Sequence, residues 1–309
     1  MIRTRRAPRI CAALASLVAL STFGLTACKG EEKQPEEKAE PEPEPEPEPD
    51  PTPAEPRFDL SGPTPPETSA AVFAVDGALL PIGCFDKDKG ALSSGADCVA
   101  LVAEGSEVYM EDSFGKKALE KTEAGTKNST CGDEGAIPVA ALGSGASYDW
   151  AVWPKSVGPT LTQIDPETWS DRGARLEEAE SKAIQEAISK VRNVQGDFLP
   201  KQKASVDIDG DGKEELFVSA VLDNPGDPGA YLVSGLFMAP GGDLANIVLI
   251  DKGDRGKGDI IRLRAVVDLD GDKTAELWTG VTFDGGNGDR IVQLVDGEPK
   301  ALSKWTCGA

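Results

Sequence analysis

Two short acidic segments, each followed by an apolar run, constrain the fold of this chain more than any other feature of its sequence. They begin at Asp207 and Asp268, an interval of 61 residues. Each segment has acids at its first, third, fifth and ninth positions and glycine at its fourth, and leads into a run typical of a strand. The two copies predict two equivalent loop–strand units. The acids are Asp207, Asp209, Asp211 and Glu215 in the first segment, and Asp268, Asp270, Asp272 and Glu276 in the second.

The spacing of these acids fits the coordination shell of calcium. Calcium takes about six to eight hard oxygen ligands at roughly 2.3–2.6 Å. Oxygens from the first, third and fifth positions of a tight loop converge on one side, and a carbonyl and a further carboxylate complete the shell. The alternative is a pair of Asp-Gly turns without metal, but two copies in register with following strands favour calcium.

An EF-hand does not account for these segments. Its twelfth position carries a bidentate glutamate, whereas Val218 and Thr279 occupy that position here. EF-hand loops also lie between helices, and β-rich sequence flanks both segments. If the segments bind calcium, we therefore expect a different kind of calcium loop.

Each segment with its following strand resembles the calcium loops of FG-GAP and VCBS-type repeats, the units of integrin-like β-propeller blades. The resemblance runs from Ser205 to the C-terminus, and the interval of 61 residues matches roughly one blade. It implies that the four acids of each loop bind calcium together with one carbonyl, that of Lys213 in the first loop and of Thr274 in the second. Extracellular sites bind calcium at about 10⁻⁴–10⁻³ M, which predicts a structural ion.

Lys273 is the position at which the second loop departs from the family. The family usually has glycine there, for a backbone with positive φ. A lysine adds backbone strain and one positive charge beside the site. We therefore expect the second loop to bind calcium more weakly than the first, or not at all.

The first 27 residues are typical of an export signal. Four arginines form a basic start, and the apolar run from Cys11 to about Leu25 is shorter than the roughly 20 residues that span a bilayer. The run ends in Leu25-Thr26-Ala27-Cys28, which resembles the lipobox of bacterial lipoproteins. The resemblance implies cleavage before Cys28, diacylglycerol on its thiol and acylation of its amino group. A plain secretory signal is the alternative.

The composition of residues 28–57 predicts a disordered tether that begins at the lipidated cysteine. Proline and glutamate alternate from Pro41 to Pro49, so this stretch forms no core and favours polyproline II. At about 3.1 Å per residue the tether reaches on the order of 90 Å when extended. Lys29 follows the lipidated cysteine and, by resemblance to the sorting rule of enteric bacteria, implies delivery to the outer membrane. The face that displays the protein, periplasmic or surface, stays open.

The charge of the chain excludes several partners. The first 27 residues hold four of the 32 basic residues and none of the 53 acidic ones, which leaves a net charge of −25 on the remainder. Such a surface repels phosphate backbones and anionic lipid headgroups. We therefore expect membrane attachment through the lipid anchor and no nucleic-acid partner.

Four cysteines remain beyond Cys11 and Cys28, and an even set outside the cytoplasm predicts two disulfides. Four cysteines allow three connectivities. We favour Cys84–Cys98, which closes a short loop, and this leaves Cys131–Cys307 as the second pair. Because the chain has no histidine, Ser-His-Asp and Cys-His catalysis are excluded, and the cysteine spacing does not fit zinc. The cysteines are Cys84, Cys98, Cys131 and Cys307.

The pattern of the remaining sequence predicts a mainly antiparallel β fold with one long amphipathic helix, α+β in class. We expect a small β-rich domain over 58–160 and a helix plus β domain with both acidic loops over 161–309. A hairpin turn at Asp76-Gly77 joins two predicted strands. The apolar stripe between Ala174 and Val194 predicts the helix and its packing on a sheet. The predicted strands of the first part are Ala71–Val75, Ala78–Ile82, Val99–Ala103 and Glu107–Met110.

These features together predict a non-catalytic, calcium-stabilised domain that binds a protein or glycan at the cell envelope. One alternative is a carboxylate-dependent glycoside hydrolase, for which two carboxylates about 5–10 Å apart in a pocket away from the loops would be evidence. The other is a purely structural envelope component. The tryptophans that favour sugar binding are Trp150, Trp153, Trp169 and Trp278.

Overall fold

The computed structural model describes residues 58–93, 95–127, 135–165, 173–194, 196–254, 256–302 and 305–308. The predicted signal 1–27, the lipidation site Cys28 and the tether 28–57 lie outside the described residues, as do Cys131 and Trp169. The described residues form one compact unit. Within the described part of the chain, no helix combines the length and the apolar character needed to cross a membrane.

The fold is mainly β, with three antiparallel sheets and few helices, which confirms the predicted class. The first sheet has the strand order β3-β2-β1-β6-β4-β5. The strands β1 and β2 pair across the Asp76-Gly77 turn, where Gly77 has φ 62°, so the predicted hairpin is confirmed. The strands are β1 (Ala70–Val75), β2 (Leu79–Asp86), β3 (Ala91–Ser93), β4 (Glu107–Glu111), β5 (Lys117–Lys121) and β6 (Trp150–Trp153).

The predicted strand Val99–Ala103 is wrong, because α1 (Ala96–Leu101) occupies most of this segment. A short apolar run does not by itself distinguish a strand from a buried helix. Asp97 lies in the first turn, where a negative charge stabilises a helix. Cys98 is buried and bonded to Cys84 of β2, which fixes the helix against the sheet.

The second and third sheets each contain a four-stranded meander in which consecutive strands are neighbours. In the second sheet the meander is β8 (Leu199–Val206), β9 (Glu215–Asp223), β10 (Tyr231–Ala239) and β11 (Val248–Lys252). In the third it is β12 (Ile260–Val267), β13 (Glu276–Phe283), β14 (Gly286–Val295) and β15 (Glu298–Ala301). The third sheet also contains β7 (Thr162–Gln163), beside β12, and β16 (Trp305–Gly308), beside β14.

The predicted long helix is α3 (Glu178–Val191), shorter at both ends than the apolar stripe. A capping box of Glu177 and Glu180 begins it by satisfying main-chain N–H groups of the first turn. Ile184 and Ile188 are buried against the second sheet, so the predicted packing is confirmed. Besides α1, the other helices among the described residues are α2 (Ala140–Gly143) and two short 3-10 helices at Lys155–Thr160 and Pro240–Gly242.

The third sheet lies between the other two. Its Trp278 and Val267 share a core with Val72 and Trp150 of the first sheet. Its Leu263, Leu277 and Val292 share a second core with residues of β8, β9 and β10. Residues on both sides of position 160 thus share a core, and the expected domain boundary there stays a prediction.

Candidate metal centres

Both acidic segments form tight loops between the first two strands of a meander, the first between β8 and β9. Asp207 accepts hydrogen bonds from the main-chain N–H groups of Gly210 and Gly212, at 2.8 and 3.0 Å. Asp209 accepts one from the N–H group of Asp211 at 3.0 Å. These bonds curl the backbone around the carboxylates of the loop.

The second loop, between β12 and β13, has the same hydrogen bonds. Asp268 accepts from the N–H groups of Gly271 and Lys273, at 2.7 and 3.3 Å. Asp270 accepts from the N–H group of Asp272 at 3.2 Å. Each bond lies 61 residues after its counterpart in the first loop, so the predicted equivalence of the two units extends to individual contacts.

The fifth and seventh positions also match between the loops. Asp211 accepts from the N–H group of Lys213, and Asp272 from that of Thr274, each at 2.7 Å. The predicted carbonyl ligands are the main-chain oxygens of Lys213 and Thr274. Neither oxygen accepts a hydrogen bond from another described residue. Both carbonyl oxygens therefore remain available to a cation.

The glutamates at the ninth position differ in their surroundings. Both carboxylate oxygens of Glu215 accept from the main chain, from the N–H groups of Ile208 at 2.9 Å and Gly241 at 3.1 Å. Glu276 accepts from the N–H group of Leu269 at 2.8 Å through one oxygen. Its other oxygen receives no hydrogen bond from the described residues and is free to bind a cation.

The structure gathers three carboxylates in each loop, although not the same three. Asp207, Asp209 and Asp211 have oxygens within 4.8 Å of one another in the first loop. In the second loop Asp268, Asp270 and Glu276 do so, within the same 4.8 Å. Ligands of one calcium ion at roughly 2.4 Å lie no more than about 4.8 Å apart, so both groups fit a shared ion. The structure does not bring Glu215 or Asp272 into these groups.

The two groups have different electrostatic surroundings. The first is exposed, and contacts with Lys213 hold the pKa of Asp211 below its usual range. In the second group, Glu276 is only 1% exposed. Burial raises its pKa to about 8, and the charges of Asp270 and Asp268 act in the same direction. Burial likewise raises the pKa of Asp270. The second loop therefore holds carboxyl groups close together with little solvent, which favours their neutral forms when no cation is bound.

Lys273 takes the backbone conformation that the resemblance requires at its position. Its φ is 77°, close to the 84° of Gly212 at the equivalent position of the first loop. A residue with a Cβ atom is strained in this region. The weaker binding expected for the second loop depends on this residue and stays a prediction.

Neighbouring segments hold the second loop in place. The N–H group of Ala275 donates to the carbonyl of Ile208 at 2.7 Å, which links the two loops directly. The Thr160 hydroxyl lies between the carbonyls of Val157 and Asp268, at 3.0 and 3.3 Å, and can donate to either. A Cβ atom added to Gly271 would lie 2.2 Å from the carbonyl oxygen of Pro65. The segment around Pro65 thus packs on the second loop.

The favoured disulfide between Cys84 and Cys98 is present, with the Cα atoms 5.4 Å apart. Cys307 is also disulfide-bonded. Its pairing with Cys131, which lies outside the described residues, stays a prediction.

A second place of chemical interest, which the sequence did not reveal, is a cavity of about 470 Å³ between the first and third sheets. It is lined by Trp150 and Trp278, two of the tryptophans named above as candidates for stacking on sugars, and by Asp149 and Asp289. Asp149 accepts from the Ser113 main chain at 2.5 Å. The two aspartates are 140 residues apart and come together only through pairing of distant strands, so no local motif marks the cavity.

Comparisons with known protein families, with curated proteins and with solved structures found no match to this chain.

Proposed function

We propose that this chain is a lipid-anchored protein of the cell envelope whose β domain is stabilised by calcium and binds a protein or glycan without catalysing a reaction. The observation that carries the calcium role is the group formed by Asp268, Asp270 and Glu276. Their oxygens lie within 4.8 Å of one another, and the group includes a buried glutamate whose pKa is raised to about 8.

A divalent cation relieves the energetic conflict in this group. Carboxylates brought close together and buried repel each other and lose hydration, which favours their neutral form. A cation bound to the same oxygens favours the charged form instead. Calcium fits better than softer metals, because the donors are carboxylates and carbonyls and the chain has no histidine.

The two meanders support the resemblance to propeller repeats. Each is a four-stranded antiparallel sheet with the acidic loop between its first two strands, and four-stranded sheets are the blades of propellers. Ions in both loops would fix the turns that join these strands. A structural role for calcium follows from that position.

The lipid anchor is proposed from the sequence around Cys28. An acyl chain contributes about 0.8 kcal/mol per buried CH₂, and several chains together hold a protein on a membrane. The tether would then separate the β domain from that surface. Metabolic labelling with radioactive palmitate tests this part. Label in the wild-type protein and none in Cys28→Ser are expected, and equal labelling of both would contradict the anchor.

Calorimetric titration with calcium, combined with thermal unfolding, tests the metal role. Millimolar calcium is expected to raise the free energy of unfolding by about 1–3 kcal/mol. Asp209→Ala with Asp211→Ala, in the first loop, should reduce the heat and the stabilisation. A matched control, Asp227→Asn with Asp284→Asn, removes two exposed acids outside both loops and should leave them unchanged. Absence of heat and of any melting shift in the wild-type protein would contradict the proposal.

A glycoside hydrolase is the second candidate, because Asp149 and Asp289 line the same cavity as two tryptophans. Burial raises the pKa of Asp289, as a general acid requires. Release of nitrophenol from nitrophenyl glycosides, lost in Asp289→Asn, would establish this activity. We favour binding because Asp289 is already engaged by Arg264 and Trp278.

A further inference from the structure

The cavity between the first and third sheets has the polar and aromatic lining of a ligand site. Its volume of about 470 Å³ falls in the range of roughly 300–1,000 Å³ typical of small-molecule pockets. The rings of Trp150 and Trp278 meet edge to face in its wall, with centroids 6.4 Å apart. The charged and amide residues of the lining are Asp76, Asp149, Asp289, Arg264, Gln163 and Asn287.

Asp289 offers an unused acceptor in this wall. It is 1% exposed, and Trp278 Nε1 and Arg264 Nε approach the same oxygen, Oδ1, at 2.7 and 3.3 Å. Oδ2 receives no hydrogen bond from the described residues. The arrangement depends on Gly280, because a Cβ atom there would lie 2.1 Å from Arg264 Nε.

Trp150 offers an unused donor. The residue is 7% exposed, and its Nε1 is buried without a hydrogen-bond partner in the described part of the chain. A buried polar group without a partner costs about 1–3 kcal/mol. Trp150 lines the cavity, and a ligand oxygen that reached its Nε1 would remove this penalty.

The two unused groups define the chemistry of the ligand. An ammonium has donors only and cannot accept from Trp150, whereas a carboxylate cannot donate to Asp289. Three aspartates and one arginine in the lining also repel an anion. A hydroxyl group both accepts and donates, and the apolar face of a sugar ring packs on an indole. We propose that this cavity binds an uncharged, hydroxyl-rich ligand, namely a saccharide unit.

This inference rests on the binding role proposed above and specifies its ligand, but it does not depend on calcium in the loops. The two parts therefore fail separately. A protein that binds calcium but no sugar overturns the saccharide site alone, and a protein that binds sugar but no calcium overturns the calcium role alone.

Titration calorimetry of the purified protein with neutral sugars tests the site. The probes are glucose, galactose, mannose and N-acetylglucosamine, with choline and acetate as the cationic and anionic comparisons. At least one sugar is expected to bind more tightly than choline and acetate. Trp150→Phe keeps the aromatic ring but loses the donor, so the affinity for that sugar should fall about tenfold.

The same variant provides a second readout that a purely structural tryptophan would not give. A saturating concentration of the bound sugar should raise the melting temperature of the wild-type protein, and should raise that of Trp150→Phe less, whatever packing the smaller ring loses in the core. Phe114→Leu, at an exposed aromatic residue outside the cavity lining, should change neither the affinity nor this shift. If Trp150→Phe does not fold, Asn287→Leu at an exposed lining position should weaken the same sugar severalfold.

Three results would overturn the proposal. One is the absence of heat with every sugar of the panel. Another is tighter binding of choline or acetate than of any sugar. The third is an unchanged sugar affinity in a folded Trp150→Phe or Asn287→Leu protein.

Discussion

The side-chain amide of Gln202 forms two hydrogen bonds with the main chain of Leu263. Its Nε2 donates to the carbonyl and its Oε1 accepts from the N–H group, each at 2.8 Å. Gln202 lies on β8, and Leu263 occupies the equivalent place on β12, 61 residues later. Beside β12, β7 pairs at Ala265 and Val266. The amide of Gln202 thus takes the place of a neighbouring strand at Leu263, where main-chain groups are buried between two sheets.

We predict that Gln202→Leu destabilises the protein by roughly 2–6 kcal/mol, because it leaves two buried main-chain groups without partners at about 1–3 kcal/mol each. Urea unfolding measures the change. Ser219→Ala is the comparison. The Ser219 hydroxyl, on β9, donates to the carbonyl of Ile261, which lies on β12 like Leu263. It removes a single bond and should cost less. A smaller loss in Gln202→Leu than in Ser219→Ala would contradict this account of the β12 edge.

The glycines at the fourth positions of the loops give a matched pair of variants. Gly210 and Gly271 have φ of 71° and 77°, so alanine strains both by about 1–2 kcal/mol. At Gly210 the added Cβ meets no atom within 4 Å, whereas at Gly271 it meets the Pro65 carbonyl at 2.2 Å. We expect Gly271→Ala to lower the melting temperature well beyond Gly210→Ala. Equal losses of melting temperature in the two variants would show that the segment around Pro65 does not pack on the second loop.

Replacing Lys273 by glycine should strengthen calcium binding at the second loop. The change relieves the strained backbone at φ 77° and removes a positive charge beside the ion, so we expect the affinity of this site to rise several-fold. The control is Asp296→Gly, which relieves positive φ at the β14–β15 turn, where φ is 52°. It should affect stability but not the calcium isotherm. An unchanged isotherm in Lys273→Gly would remove the reason for a weaker second site.

Calcium-free protein should lose stability as the pH rises from about 5 to about 8. The pKa of Glu276 is raised from 4.5 to about 8 in the folded state. The folded state therefore holds a proton that the unfolded chain has already released, and the free energy of unfolding falls across this window. Denaturant unfolding in a chelator measures this fall, and Glu276→Gln should make the profile flatter. Identical profiles for the two proteins would contradict the assignment.

The local parts of this fold were predictable from the sequence, because short-range signals determine them. The turn at Asp76-Gly77 and the helix with Ile184 and Ile188 on one face are of this kind. The two acidic loops were also predictable. Their interval of 61 residues is the interval at which equivalent hydrogen bonds recur in the structure. The apolar run from Val99 was misassigned because it is too short to show a period.

The long-range parts were not predictable. The strand β6 lies between β1 and β4 in the first sheet, and no local pattern indicates that order. The same holds for the pairing of Gln202 with Leu263 and for the meeting of Trp150 with Trp278. The difference between Glu215 and Glu276 also depends on tertiary contacts, since Gly241 reaches only the first of them.

Equilibrium dialysis against radioactive calcium tests the central claim most directly, because it counts the ions held by each chain. We predict that the wild-type protein takes up a first ion at about millimolar calcium and a second at higher concentration, two ions per chain in all. Asp209→Ala with Asp211→Ala should leave one ion, as should Asp268→Asn with Glu276→Gln. No bound calcium in the wild-type protein, or an uptake that neither pair of substitutions changes, would contradict the account.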